Sequence, residues 1–265
     1  MKKIISYIDP TSLDFLDTNF TPSADFERKI FKYNNLCEIE NNVWGIPTGA
    51  VSKNNYQQRI FDDGWQWQIT APCTLVAGYP EINIGKKPWV DSNLEKKEAS
   101  DWPKKYEDLA TFSCDIDFAC QANGSYNTAF EFWLLKDKNS CKKNITSEVM
   151  IWLQNSGKMP YGAKIAENIN FNGEVFDLFV GQTGHDPRVP GGWNLISFLR
   201  KGENPVNTIK INVKEFLDYL YEKNILDPEK DKYIANFEFG NELFESQGIT
   251  KISKFEVETS LINTF

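Results

Sequence analysis

The chain has 265 residues and a formal net charge of −8, a balance that excludes nucleic acid as a partner because phosphate backbones call for a basic surface. Its single histidine, His185, leaves no multi-histidine zinc site, and a Ser-His-Asp triad would have to use that one residue. Hydrophobic residues make up 41% of the chain, enough for a substantial core, and the 8 tryptophans exceed what a core readily accommodates, since each buried indole N–H needs an acceptor.

In chain order, residues 1–28 are polar and irregular, with Thr21-Pro22-Ser23 as a turn. They are expected to form an arm on a single domain spanning 29–265. Met1-Lys2-Lys3-Ile4-Ile5 resembles the start of a signal peptide, but Asp9-Pro10 and Asp14 interrupt the apolar run, so a standard secretory leader is not expected. No segment has the length of a membrane-spanning helix, and no membrane partner is expected. From residue 30 onward the pattern predicts short strands separated by turns: 30–40, 42–46, 58–70, 74–79, 111–120, 127–136, 147–154, 163–169, 174–183, 192–201, 233–244 and 251–262. Such a series indicates an all-β sandwich or barrel. Residues 80–103, rich in Pro, Lys, Asp and Trp, are predicted as a long loop. Trp89 and Trp102 within it are candidates for cleft walls or for anchors of the loop, with Trp89 the stronger candidate for touching a ligand. Asn123-Gly124-Ser125 and Asn144-Ile145-Thr146 are glycosylation sequons, a common chance match. His185 falls in the turn-like Gly184-His185-Asp186-Pro187-Arg188 and is not expected to be catalytic. Residues 214–223 place Phe216, Leu217, Leu220 and Tyr221 at helical spacing, which predicts one surface helix with Asn212 as its N-cap and Asp227-Pro228 as its stop. Five cysteines, Cys37, Cys73, Cys114, Cys120 and Cys141, follow no metal spacing and are expected to be mostly buried and reduced. No Gly-rich phosphate loop opens a helix, so nucleotide chemistry has no support. With one histidine and no metal spacing among the cysteines, neither a cofactor nor a metal is expected.

Two of the predicted strands carry chemistry. In Ser147-Glu148-Val149-Met150-Ile151-Trp152-Leu153-Gln154 the side chains alternate between faces. Val149, Ile151 and Leu153 form a purely aliphatic face. Glu148, Met150, Trp152 and Gln154 form the other, which suits the floor of a groove for a ligand both polar and flat. The bland reading is a half-buried strand whose Glu pairs with a neighbouring Lys. A second strand near the C-terminus sets Phe237 and Phe239 against Asn236, Glu238 and Glu242, with Gly240 between. Gly inside a strand marks a bulge or a close approach. Two such glutamates are what a retaining glycosidase requires: one attacks the anomeric carbon, the other protonates the leaving oxygen, and the two carboxyl groups stand about 5–5.5 Å apart. Glu238 competes with Glu242 for that role, since both fall on the same face.

Four segments resemble one known family. They are Asn41-Asn42-Val43-Trp44-Gly45; Gly78-Tyr79-Pro80-Glu81-Ile82 with Gly85-Lys86-Lys87-Pro88-Trp89; Glu148-Val149-Met150-Ile151-Trp152-Leu153; and Gly240-Asn241-Glu242-Leu243-Phe244. In this order, across residues 37–257, they resemble glycoside hydrolase family 12, the endo-β-1,4-glucanases and xyloglucanases. The resemblance implies a concanavalin-like β-jelly-roll sandwich of two antiparallel sheets, with the helix outside and the concave sheet forming the cleft. It implies Glu148 as nucleophile and Glu242 as acid/base. Asn42 and Trp44 would contact sugar on the non-reducing side of the cut, and Met150 and Trp152 would line the cleft. Glu131, in Asn127-Thr128-Ala129-Phe130-Glu131-Phe132-Trp133-Leu134, stands where many members carry an Asp that hydrogen-bonds the nucleophile. It is expected to support Glu148 by sharing a proton with it. Leu243 replaces a frequent Pro.

The expected activity is therefore endo-hydrolysis of a β-glucan by a monomer acting outside cells, with a bell-shaped pH profile on the acidic side of neutral. A non-catalytic carbohydrate-binding or lectin-like module would need aromatic platforms but no carboxylate pair. A related jelly-roll xylanase also uses two glutamates, but the Asn-Asn-x-Trp-Gly and Glu-x-Met-Ile-Trp segments favour the glucanases.

Overall fold

The computed structural model describes residues 30–46, 49–89, 101–183, 189, 191–202 and 205–262. The expected arm, 1–28, and His185 lie outside the described residues. In chain order the strands are β1 (Ile30–Lys32), β2 (Cys37–Glu40), β3 (Tyr56–Phe61), β4 (Gly64–Ile69), β5 (Glu81–Gly85), β6 (Lys104–Lys105), β7 (Leu109–Leu135), β8 (Ile145–Ser156), β9 (Ala163–Phe171), β10 (Glu174–Thr183), β11 (Trp193–Arg200) and β12 (Thr208–Asn212). Then follow the helix α1 (Val213–Glu222), β13 (Tyr233–Ile234), β14 (Asn236–Gly240) and β15 (Leu243–Leu261).

The long strand β7, 27 residues, ties two layers together. Its first part pairs with β15 and β12; its second part, from Tyr126, pairs with β8 and, over Ala129–Glu131, with β14. One layer runs β1-β2-β5-β14-β7-β8-β11-β10-β9, and β3 and β4 extend the other layer beyond β15. Pairing is antiparallel among the described strands except between β8 and β11, which run parallel.

Alternation decides what lies between the layers. Phe112 and Phe118 from the first part of β7 meet Phe237 and Phe239 of β14, at ring-centroid distances of 5.2 and 4.7 Å. Phe130, Phe132, Val149, Ile151 and Leu153 complete this side of the core. Each such side chain contributes roughly 2 kcal/mol by leaving water. The helix α1 packs Phe216 among Phe171, Phe176 and Phe198. Asn212 occupies its N-cap position, but its amide donates to Glu215 (3.0 Å) instead of accepting a backbone N–H. The helix ends before Asp227-Pro228, where Asn224 adopts a left-handed conformation (φ 55°) that satisfies a C-terminus.

Several expectations change: 30–40 and 58–70 each divide into two strands, 111–120 and 127–136 join in the continuous β7, and 233–244 is broken into β13, β14 and the start of β15. Residues 81–85, predicted within a loop, form the strand β5 between β2 and β14. Glu81-Ile82-Asn83-Ile84-Gly85 does alternate, with Ile82 and Ile84 in the core, but it is short and flanked by prolines. Conversely, 42–46 and 74–79 contribute only the isolated bridging residues Val43 and Gly78. Trp102 is no cleft wall: it is buried in the core against Phe112 and anchors its segment. β12 was not anticipated, although Thr208-Ile209-Lys210-Ile211-Asn212 alternates too. All five cysteines are free thiols.

Candidate active site

The strand register collects carboxylates on one face of the layer running from β1 to β9. Glu131 on β7 stands opposite Met150 on β8 and opposite Glu238 on β14. Glu148 stands opposite Trp133. Since Phe130, Phe132, Val149, Ile151, Phe237 and Phe239 point into the core, Glu131, Glu148 and Glu238 share the other face.

Glu148 is 9% exposed, and its Oε2 accepts a hydrogen bond from the Trp193 indole Nε1 at 2.7 Å. Burial pushes its carboxyl up to about 8; the Trp193 hydrogen bond pulls the other way, and the charges of Glu242 and Glu238 add to the rise. Trp193, on β11, forms with Trp89 and Trp133 a three-ring cluster with centroids 5.1–5.6 Å apart. The Trp133 Nε1 is buried in that cluster without an acceptor.

Glu242 sits at the break between β14 and β15, the irregularity that Gly240 announces. A Cβ at Gly240 would lie 2.5 Å from the Pro80 carbonyl oxygen, so only glycine permits this approach. Asn241 secures the break: its Oδ1 accepts from Trp65 Nε1 and Thr250 Oγ1, each at 2.7 Å, and its Nδ2 donates to the Asn127 carbonyl (3.0 Å) and to Thr128 Oγ1 (2.8 Å). All four bonding positions of that amide are filled. Asn127 then clamps Glu242 twice. Its Nδ2 donates to Glu242 Oε2, and its Oδ1 accepts the Glu242 backbone N–H at 3.0 Å. Burial pushes the Glu242 carboxyl up to about 7 against the pull of Asn127.

Glu238 belongs to a different arrangement. It is fully buried, as is Glu81, while Lys87 and Glu40 are nearly so. The Lys87 ammonium lies 2.7 Å from Glu40 and 3.4 Å from Glu238, and it donates to Glu81. Burial opposes the charge on Lys87, but Glu238, Glu40 and Glu81 together hold its pKa well above the ordinary lysine value. Burial, and next the Glu148 and Glu238 charges, hold the Glu131 carboxyl well above the usual range.

The other expected site residues divide by exposure. Trp44 is 39% exposed and Trp89 half-buried. Asn42 adopts a left-handed conformation (φ 36°) and donates to Glu81 Oε2 at 3.2 Å. Met150 and Trp152 are on the predicted face but lie beneath its surface, with Ala129, Phe179 and Leu199. Glu131 is placed beside Glu148, yet among the described residues no hydrogen bond joins the two carboxyls; the donor to Glu148 is Trp193, on the β11 side. Sequence reasoning did not single out Trp193, Asn127, Lys87, Glu40 or Glu81 as site residues. Alternation in 192–201 and 81–85 was the available signal, but which strands become neighbours was not readable locally.

A family model described as Glycosyl hydrolase family 12 matches residues 35–263. Endoglucanase S of Pectobacterium parmentieri is 28% identical over 253 residues, covering 93% of this chain and 90% of that protein. The native family 12 xyloglucanase from Bacillus licheniformis superposes with a TM-score of 0.72 at 28% identity, over 89% of this chain and 97% of that one. The endoglucanase cel12A from Rhodothermus marinus shares the fold at 20% identity, with a TM-score of 0.65 over 89% and 99% of the two chains. A family model matched across this length shows that the chain belongs to glycosyl hydrolase family 12 and is a glycoside hydrolase.

Proposed function

We propose that the protein is a retaining endo-β-1,4-glucanase acting by double displacement, with Glu148 as nucleophile and Glu242 as acid/base. The observation that supports this reading best is the pair itself. One carboxyl rises from β8 and the other from the break between β14 and β15, each held by a neutral donor, Glu148 buried and Glu242 half-buried, and close enough for the charge of Glu242 to raise the pKa of Glu148. Such a pair shares one proton over a pH window. In that window one group is ionised to attack the anomeric carbon while the other is protonated to release the leaving oxygen. The choice between the two roles follows the motifs around them.

Glu131 supports the site by its position next to Glu148. Trp44, Asn42 and Trp89 contact sugar, and Met150 and Trp152 underlie the floor. The substrate is a β-glucan, a polymer met outside cells, and the relatives named for endoglucanase and xyloglucanase activities point to the same class. Viscometry on soluble β-glucans, run alongside proton NMR of fresh products, tests the proposal. Viscosity should fall faster than reducing ends accumulate, and the β-anomer should come first. Monomer release from the outset, or an initial α-anomer, would overturn it.

A further inference from the structure

Beyond the carboxylates, the cleft face carries an aromatic ring seated on a glycine. Tyr161 lies in the turn between β8 and β9 and is 61% exposed. A Cβ added to Gly181 of β10 would lie 2.6 Å from the Tyr161 Cδ1, so the ring occupies the space that any larger residue would fill. Alternation fixes which side this is. Phe176, Leu178 and Val180 of β10 face the core, whereas Phe179 joins Met150 and Trp152 on the cleft side, and Gly181 has the parity of Phe179. The turn is built to hold the ring there. Gly162, at φ +102°, lets the chain press against the Val180 carbonyl, and the Asn155 amide donates to the Lys158 carbonyl at 2.5 Å.

The register then places the ring relative to the chemistry. Glu148 on β8 is opposite Leu195 on β11, and Leu195 is opposite Gly181 on β10. Tyr161 therefore stands in the cross-strand row of Glu148, two strand spacings away, or roughly 10 Å. Trp44 lies on the other side of Glu148, next to Val43, which bridges to Gly78. A polysaccharide that touches Trp44 and passes Glu242 and Glu148 continues across β11 onto Tyr161. An exposed, rigidly seated aromatic face suits the apolar face of a pyranose ring.

We propose that Tyr161 is a sugar-binding platform for the part of the β-glucan chain that extends away from Trp44, about two sugar residues from the bond cut. The inference rests on the reading of Glu148 and Glu242 as the reacting pair. It makes Tyr161 a determinant of chain-length preference and of which bond is chosen.

The test uses reducing-end-labelled cello-oligosaccharides up to the hexasaccharide with the wild type, Tyr161→Ala, Tyr161→Phe, Gly181→Ala and Trp44→Ala. For Tyr161→Ala, the ratio of kcat/KM on the hexasaccharide to that on the shortest oligosaccharide cleaved should fall about tenfold. Gly181→Ala, which displaces the ring without removing it, should lower the same ratio, and Tyr161→Phe should keep it. The preferred bond in the hexasaccharide should move in opposite directions in Tyr161→Ala and Trp44→Ala. An unchanged ratio in Tyr161→Ala, or movement of the cut in the same direction in both variants, would overturn the proposal. Wild-type protein inactive on every β-glucan would instead overturn the reading of the reacting pair.

Discussion

The indole N–H of Trp193 donates to the Oε2 of Glu148 at 2.7 Å, so a neutral side chain on β11 holds the carboxylate proposed as nucleophile. Such a bond favours the ionised carboxylate. Trp193→Phe keeps a ring in the cluster and removes the donor, and the Glu148 pKa should rise. Hydrogen bonds to charged groups are worth about 1.5–3 kcal/mol. The loss should raise the Glu148 pKa by about one to two units, so a smaller share of Glu148 is ionised and kcat/KM at pH 7 should fall roughly tenfold or more. A profile superimposable on the wild type would show that Trp193 does not govern Glu148.

Burial raises both carboxyls, Glu242 to about 7 and Glu148 to about 8. Below this range both hold protons and no nucleophile is ionised; above it both are charged and no acid remains. Between the two the single proton favours Glu148, so the working form, with Glu148 ionised and Glu242 protonated, is the minor one of the pair. The bell in kcat/KM should thus centre between about 7 and about 8, not on the acidic side that carboxylate chemistry alone would indicate. Initial rates from pH 4 to 10 check this, and a maximum near pH 5 would mean that water reaches the pair more freely than its burial indicates.

Glu148→Ala should lose turnover by several orders of magnitude, with partial rescue by azide or formate filling the gap. Glu242→Ala should lose less on substrates whose leaving groups need little protonation. Glu238 is fully buried and lies 3.4 Å from the Lys87 ammonium, which argues against either role. Glu238→Gln should keep activity within about tenfold while lowering thermal stability, since it withdraws one partner charge from a buried lysine. Activity surviving in Glu242→Ala but lost in Glu238→Gln would reverse this assignment.

Lys87→Met tests the buried cluster as a source of stability. The lysine's folded pKa is raised above its unfolded value, so its contribution is fully present at neutral pH and is lost only as pH climbs through the folded value. Removing it leaves Glu40, Glu81 and Glu238 without their cation, at a cost of about 3–5 kcal/mol at pH 7. Protonation of those carboxyls relieves the repulsion, so the difference in Tm between variant and wild type should narrow at pH 5. Equal differences at both pH values would count against a charge-based role.

Burial and the neighbouring Glu148 and Glu238 charges hold the Glu131 carboxyl well above the usual carboxylate range, which favours its neutral form. Glu131→Gln resembles that state, so activity at pH 7 should remain within about threefold of wild type. Divergence should appear on the alkaline side, where only the wild type gains a charge beside Glu148. A collapse of activity at pH 7 would mean that Glu131 works as an ionised group.

Alternation along each strand determined much of the site from the sequence alone. A two-residue period sends Phe130, Val149 and Phe237 to one face and Glu131, Glu148 and Glu238 to the other, whatever the neighbours. The apolar stripe of α1 was legible for the same reason, with helical spacing in place of the strand period. Cross-strand partnership is not a local property. That Trp193 reaches Glu148 depends on β8 running parallel to β11, and the Lys87 cluster depends on β5 lying between β2 and β14. Glu238 and Glu242, four residues apart on what alternation predicts to be one face, differ because the chain breaks at Asn241. One carboxyl closes beneath the cleft with Lys87; the other is turned toward Asn127. Alternation alone could not separate them; the motif resemblance pointed to Glu242, and the difference in burial and charge pairing comes from layers that meet across long stretches of chain.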